Sequence, residues 1–156
     1  MWQYVILKSL HIVSVVLFLG NIITGVFWKR HGDRIGTPAA RAQALAGVIA
    51  SDRLFTVPGV LAIIVTGVLL ALTLDLPLLR TLWIAWALGL FGLSGIIFSM
   101  RVAPLQKQLL AIAQAGVSGT WDEAAYQKLS RSWEVWGAIA TGLPLIVVVL
   151  MVLKPT

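Results

Sequence analysis

Four long apolar runs, separated by shorter polar stretches, set the pattern of this chain. They cover about residues 4–28, 52–74, 80–102 and 133–153. Each reaches the ~20 residues that a helix rising ~1.5 Å per residue needs to cross ~30 Å of hydrocarbon. The ten-residue alternation of a membrane strand is absent, and backbone in lipid must otherwise be satisfied within a helix. The expected fold is all-α: a polytopic membrane protein built as a four-transmembrane-helix bundle, with residues 1–156 forming one membrane domain. The first run ends in "WKRHGD", with no small-residue cleavage site, so it reads as a retained span and not a signal peptide.

The connections differ in character. "KRHGDRIGTPAARAQALAGVIAS" opens with turn-like Gly-Asp and Gly-Thr-Pro, and Thr37 is placed to cap a helix starting at Pro38. "DLPLL" is a tight turn. "APLQKQLLAIAQAG" reads as the third helix continuing out of the membrane until Gly116 and Gly119 break it. Thr120, three residues before Glu123, has the spacing of a capping box for the helix leading into the fourth span.

Composition agrees with this frame. The chain is 59% hydrophobic and only 12% charged, and its mean hydropathy is +0.93. A soluble domain carries about twice that charged fraction. With no cysteine, disulfides, thiolate metal sites and thiol nucleophiles are excluded. The net charge of +6 lies mostly in the loops, where it suits anionic lipid and gives no ground for a nucleic-acid partner.

The sign of the loops sets an orientation. Lys29, Arg30, Arg34, Arg41, Arg53, Arg101, Lys107, Lys128 and Arg131 belong to the two long connections, against Lys8, Arg80 and Lys154 on the other side. Nine against three is a positive-inside bias, so both termini are expected outside a bacterial cytoplasmic (inner) membrane.

Polar residues within or at the ends of spans are the candidates for chemistry. Lys8 and His11 lie three apart on adjoining parts of one helical face. For His11 three roles stand side by side: interhelical hydrogen bonding, axial ligation of haem or another metal, and a proton or substrate contact. Asn21 belongs with it as a polar group in the first span. Met151 is the one methionine expected near the His11 level, and a histidine–methionine pair would suit haem b. A second span histidine is missing, because His31 sits in a loop. The expected site lies toward the outer side, with His11 near Met151 and Lys154.

At the opposite face, Asp52, Arg53, Arg101 and Glu134 are expected to meet as interfacial ion pairs, with an anion, lipid-headgroup or quinone-headgroup site as the alternative. "GLFGLSG" spaces Gly89, Gly92 and Gly95 for close helix approach. Pro58 and Pro144 should kink their spans, with Thr56 and Thr141 placed to satisfy the freed carbonyls. Trp2, Trp28, Trp83 and Trp133 read as interfacial belt residues, and Trp86 and Trp136 as deeper cavity-lining ones. Phosphate loops, zinc-type histidine pairs and serine elbows do not occur.

The stretches "LKSLHIVSVVLFLGN", "SDRLFTVPGVLAIIVTG", "RTLWIAWAL", "SRSWEVWG" and "VLMVLKP" together resemble the uncharacterised family of predicted integral membrane proteins called domain of unknown function 2269. The resemblance is carried by His11, Gly20, Asn21, Asp52, Phe55, Thr56, Pro58, Gly67, Trp83, Gln106, Trp133, Gly137, Met151, Lys154 and Pro155. It implies the architecture and no activity. The first span, with Lys8 and His11, is also similar to membrane protoporphyrinogen oxidases and to the membrane domain of copper-resistance proteins. In the oxidases a histidine of this kind is thought to ligate haem.

Two functions follow as expectations. One is a small haem-binding membrane protein with an electron-transfer or porphyrin-related role, its cofactor contacted by His11, Met151, Asn21 and Lys8. The other is a non-enzymatic membrane module, either a transport accessory or a partner-binding bundle. The second calls for a membrane partner protein or for a homo-oligomer formed through the glycine face, and for no cofactor.

Overall fold

The computed structural model describes residues 2–155. Four long helices account for nearly all of them: α1 (Trp2–Ile35), α2 (Pro38–Thr73), α3 (Leu82–Val117) and α4 (Glu123–Leu153). No strand occurs among the described residues. All four helices are long and apolar enough to cross a membrane. They run alternately up and down, so the two ends of the chain and the α2–α3 turn share one face. We refer to it as the terminal face, and to the face carrying the other two connections as the loop face.

The helices are longer than the spans they contain. A 36-residue helix such as α2 or α3 rises ~54 Å, well beyond ~30 Å of hydrocarbon. The excess projects from the loop face. Thus the Gly32-Asp33 pair is no turn but lies inside α1, and the alanine-rich run after Pro38 forms one helix with the second span. Gly36, at φ +80°, makes the reversal between α1 and α2, a backbone state that glycine enters without steric cost.

Capping follows the sequence reading at one end and departs from it at another. Thr37 accepts a hydrogen bond from the Ala40 N–H at 3.3 Å, with Pro38 opening the helix. At α4 the cap is Asp122, whose carboxylate accepts from the Ala125 N–H at 2.9 Å. Thr120 is not the cap, because the carboxylate two residues later sits at the helix start and also favours the positive end of the dipole.

Two π-helical segments interrupt the α ladder, Asp52–Thr56 in α2 and Phe98–Val102 in α3. Each closes with an N–H reaching back five residues, Val57 to Asp52 and Ala103 to Phe98. In both, the next residue is proline, Pro58 and Pro104. A proline ring clashes with the carbonyl four residues earlier and leaves it unpaired, and a wider turn absorbs both defects. Thr56 does not cover the freed carbonyl as expected; its hydroxyl is committed to Asp52.

Packing divides the bundle into two hairpins. In the terminal half, α1 packs on α2 and α3 on α4, while the hairpins make little close backbone approach to each other. They join toward the loop face, where the inner parts of α2, α3 and α4 enclose Leu45, Val102, Leu109, Ala113, Tyr126, Trp133 and Ala140. The outward apolar side chains, Val16, Leu61 and Val149 among them, are more than half exposed, as lipid-facing positions of a membrane helix should be.

Candidate functional site

In the terminal half, His11 faces α2. Its Nδ1 lies 2.9 Å from Thr66 Oγ1. The Thr66 hydroxyl itself donates to the Ala62 carbonyl at 2.5 Å, so its oxygen is left to accept from a protonated Nδ1. The neutral ring then keeps its lone pair on Nε2, which has no hydrogen-bond partner among the described residues. Gly67 makes room for the ring, since a Cβ there would sit 3.2 Å from His11 Cε1.

Met151 lies in the terminal half of α4, which packs against the terminal half of α3, whereas α4 reaches α1 toward the loop face, at Lys29 and Asp33. Lys154, from the same end of α4, stands over the Trp83 ring at 5.7 Å. Lys8 is exposed and lies over the Tyr4 ring at 5.6 Å. The expected His11–Met151–Lys154 grouping is therefore corrected, because α1 takes its neighbour from its own hairpin.

The polar interior lies deeper, toward the loop face. Asp52 is buried on the π turn of α2 and accepts three neutral hydrogen bonds. Asn21 of α1 donates to Oδ1 at 3.2 Å, the Thr56 hydroxyl to Oδ1 at 2.8 Å, and Gln106 of α3 to Oδ2 at 2.9 Å. Asn21 also donates to Thr56 at 2.9 Å. One carboxylate thus ties three helices. Gln106 was visible in the sequence only as a resemblance position, because its partner is 54 residues away.

The ion pairs expected among Asp52, Arg53, Arg101 and Glu134 do not form. Arg53 is exposed, Arg101 covers the Trp136 ring at 5.2 Å, and Glu134 lies 3.7 Å from Lys29. The real charge cluster sits farther out, centred on Lys29, which is 1% exposed. Its ammonium donates to Ser130, pairs with Asp33 at 2.7 Å and stands over the Trp133 ring at 5.2 Å.

Arg41 extends this cluster. It pairs with Glu123 at 2.8 Å and lies over the rings of Trp121 and Tyr126. Tyr126 donates its phenol to Asp33 at 2.7 Å. Burial, reinforced by Asp33, pushes the Tyr126 phenol well above its ordinary range, so it remains a donor. The Arg41 hydrogen bond holds the Glu123 carboxyl below its ordinary range. Lys29 read as a loop charge in the sequence because its burial depends on α4.

Between the hairpins lies a cavity of about 260 Å³. Its walls are largely apolar: Phe18, Ile22 and Val26 from α1, Val57 and Val60 from α2, Phe91 and Phe98 from α3, and Gly137 from α4. Asp52, Thr56 and Gln106 supply polar wall, and Trp133 completes the loop-face end. Phe18 and Phe91 meet edge to face at 5.6 Å across the hairpins. The tryptophan assignments change accordingly. Trp133 is 4% exposed and lines the cavity, whereas Trp86 is 63% exposed.

The model of the DUF2269 family, described as predicted integral membrane proteins, matches residues 5–155. The chain belongs to that family. No curated protein and no solved structure matches it. Several positions that carried the family resemblance meet in space in this DUF2269 protein: His11 with Gly67, Trp83 with Lys154, and Asn21 with Asp52, Thr56 and Gln106.

Among the described residues no group of three or more histidine, cysteine or acidic side chains is arranged to hold a metal ion. His11 and Met151 stand on different hairpins, and His11 hydrogen-bonds within its own, to Thr66. His11 does not line the cavity between the hairpins.

Proposed function

We propose that this protein is a non-enzymatic membrane module that admits a small lipophilic molecule into the cavity between its hairpins. The observation that supports the reading is the cavity itself: apolar walls with a hydrogen-bonded polar patch at one end, the usual composition of a small-molecule site. The splayed terminal halves supply a lateral route from the bilayer. In this reading Asn21 and His11 hold α1 to α2, and the loop-face cluster holds the hairpins together.

Gly95→Leu tests it. Gly95 lines the cavity, and a Cβ there would meet nothing within 4 Å. The leucine should occupy the cavity without disturbing the fold. Bromobenzene should quench tryptophan fluorescence saturably in wild type and lose that saturable part in the variant. Equal, non-saturable quenching in both would exclude the cavity as a site.

A second reading retains His11 as a single axial haem ligand. The Thr66 hydrogen bond favours it, because it leaves Nε2 as the free lone pair, the arrangement seen in metal-ligating histidines. Thr66 would then orient the ring, and haem would supply redox chemistry. Protein purified after expression with ample haem should show a Soret band that His11→Ala removes. Colourless protein ends this reading. A homo-oligomer or a membrane partner protein suits either function, with membrane lipid as the surrounding solvent.

The charge bias favours a bacterial cytoplasmic membrane with both termini outside, which turns the Asp52 end of the cavity toward the cytoplasm.

A further inference from the structure

The charge balance around Asp52 carries the cavity reading one step further. Its three hydrogen-bond donors, from Asn21, Thr56 and Gln106, are all neutral. No lysine, arginine or histidine nitrogen lies within 4.0 Å of it among the described residues, whereas Lys29 and Arg41 each have carboxylate partners. Neutral donors satisfy the oxygens of a carboxylate but do not cancel its charge. Asp52 is nine-tenths buried and forms part of the cavity wall, and no cationic side chain does.

The rest of the wall suits an apolar body. Phe18, Phe91 and Phe98 line the space beside the polar patch, so they can enclose the apolar part of a guest while its charge is left to Asp52. A lipid phosphate or free anion would meet the Asp52 charge with no compensating cation. A metal ion would find one carboxylate and no second acidic ligand. An ammonium head with an apolar body matches both halves of the lining.

We propose that the inter-hairpin cavity binds compact organic ammonium cations bearing one apolar group, with the cationic head at Asp52 and the apolar body among Phe18, Phe91 and Phe98. The inference rests on the cavity reading above. It adds the chemical class of ligand and the residue that selects it.

A pair of matched probes separates the two claims. Benzyltrimethylammonium and neopentylbenzene share one shape and differ in whether the branched atom is a charged nitrogen or a neutral carbon. Binding is read by saturation-transfer NMR on the full chain in lipid nanodiscs, with empty discs subtracted. The cation should bind saturably and at least tenfold more tightly than the hydrocarbon. Asp52→Asn, which keeps the shape and turns one acceptor into a donor that Gln106 can meet by presenting its amide oxygen, should remove that preference, and Gly95→Leu should abolish binding of both.

Equal affinity of wild type for both probes would overturn the ammonium proposal and leave the cavity reading standing. Binding of neither probe would overturn both. An unchanged cation preference in folded Asp52→Asn would also overturn the proposal. If that variant does not fold, the two-probe comparison on wild type still decides.

Discussion

At the scale of single residues, burial decides which polar groups matter. His11 and Thr66 form one hydrogen bond between α1 and α2. Inside a membrane bundle such a bond contributes about 0.6 kcal/mol on average, and up to ~1.7. A double-mutant cycle with His11→Ala and Thr66→Val, followed by unfolding in mixed micelles, should return a coupling of that size. A coupling of zero would show that the pair is geometric only. Lys29 is a different case, since its ammonium is enclosed and faces Asp33, Glu134 and Ser130. Lys29→Met leaves Ser130 without its partner and the partly exposed Asp33 and Glu134 without the ammonium, and should cost about 1–3 kcal/mol, read as a lower melting temperature. Glu123 gives a pH signature. Its carboxyl is held below the ordinary value of 4.5 by Arg41, so its contribution is complete above that pH and lost as pH falls through the lower folded-state value. Wild type should lose stability on acidification below about pH 4.5, and Glu123→Gln should lack that part of the loss.

At the scale of elements, glycine position separates helix contacts from lipid-facing stripes. The "GLFGLSG" spacing predicted close approach along α3, yet a Cβ on Gly89 or Gly92 would meet nothing within 4 Å, and both are exposed. The close approaches occur elsewhere. A Cβ on Gly32 would sit 2.7 Å from Ala44 Cβ, where α1 meets α2, and one on Gly116 would sit 2.5 Å from the Trp121 ring. Gly32→Ala should therefore wedge the first hairpin and destabilise it by about 1–3 kcal/mol. Gly89→Ala should stabilise the isolated chain by up to ~1 kcal/mol through helix propensity. Thermal melts of the two variants in detergent check both signs. A loss of oligomer on Gly89→Leu would reveal that another copy covers this stripe. The π segments follow the same logic, because Pro58 and Pro104 widen the turns before them and one of those turns carries Asp52 and Thr56.

At the scale of the molecule, two hairpins are joined at one end and splayed at the other. The join combines the buried apolar cluster, the Lys29–Arg41 charge cluster and the Asp52 hydrogen bonds to α1 and α3. The splayed half has lipid as its solvent, and its low burial reflects that environment. An even number of spans places both termini on one face, and the proposed orientation, drawn from the Lys and Arg distribution, turns that face outward. Reporters fused at either end should give the same, non-cytoplasmic signal, and a cytoplasmic signal at the C-terminus would reverse the orientation of the cavity.

The number of long apolar helices, the charge asymmetry, the Thr37 cap and the family were legible in the sequence alone. Those properties depend on local runs of residues, whose hydropathy and capping chemistry are readable without knowing any partner. The sequence also singled out His11, Asn21 and Asp52, because a polar side chain in or at the edge of an apolar run is conspicuous. What it left open was which polar groups meet. The pairing of His11 with Thr66, the tie from Asp52 to Gln106 and the enclosure of Lys29 by α4 all join residues more than 50 positions apart. Hydropathy is blind to helix rotation and to which helices neighbour one another, so Trp133, expected at the interface, lines the cavity, and Trp86, expected to line one, is exposed. Only the tertiary structure decided those contacts, because the burial of a side chain belongs to the surface packed against it.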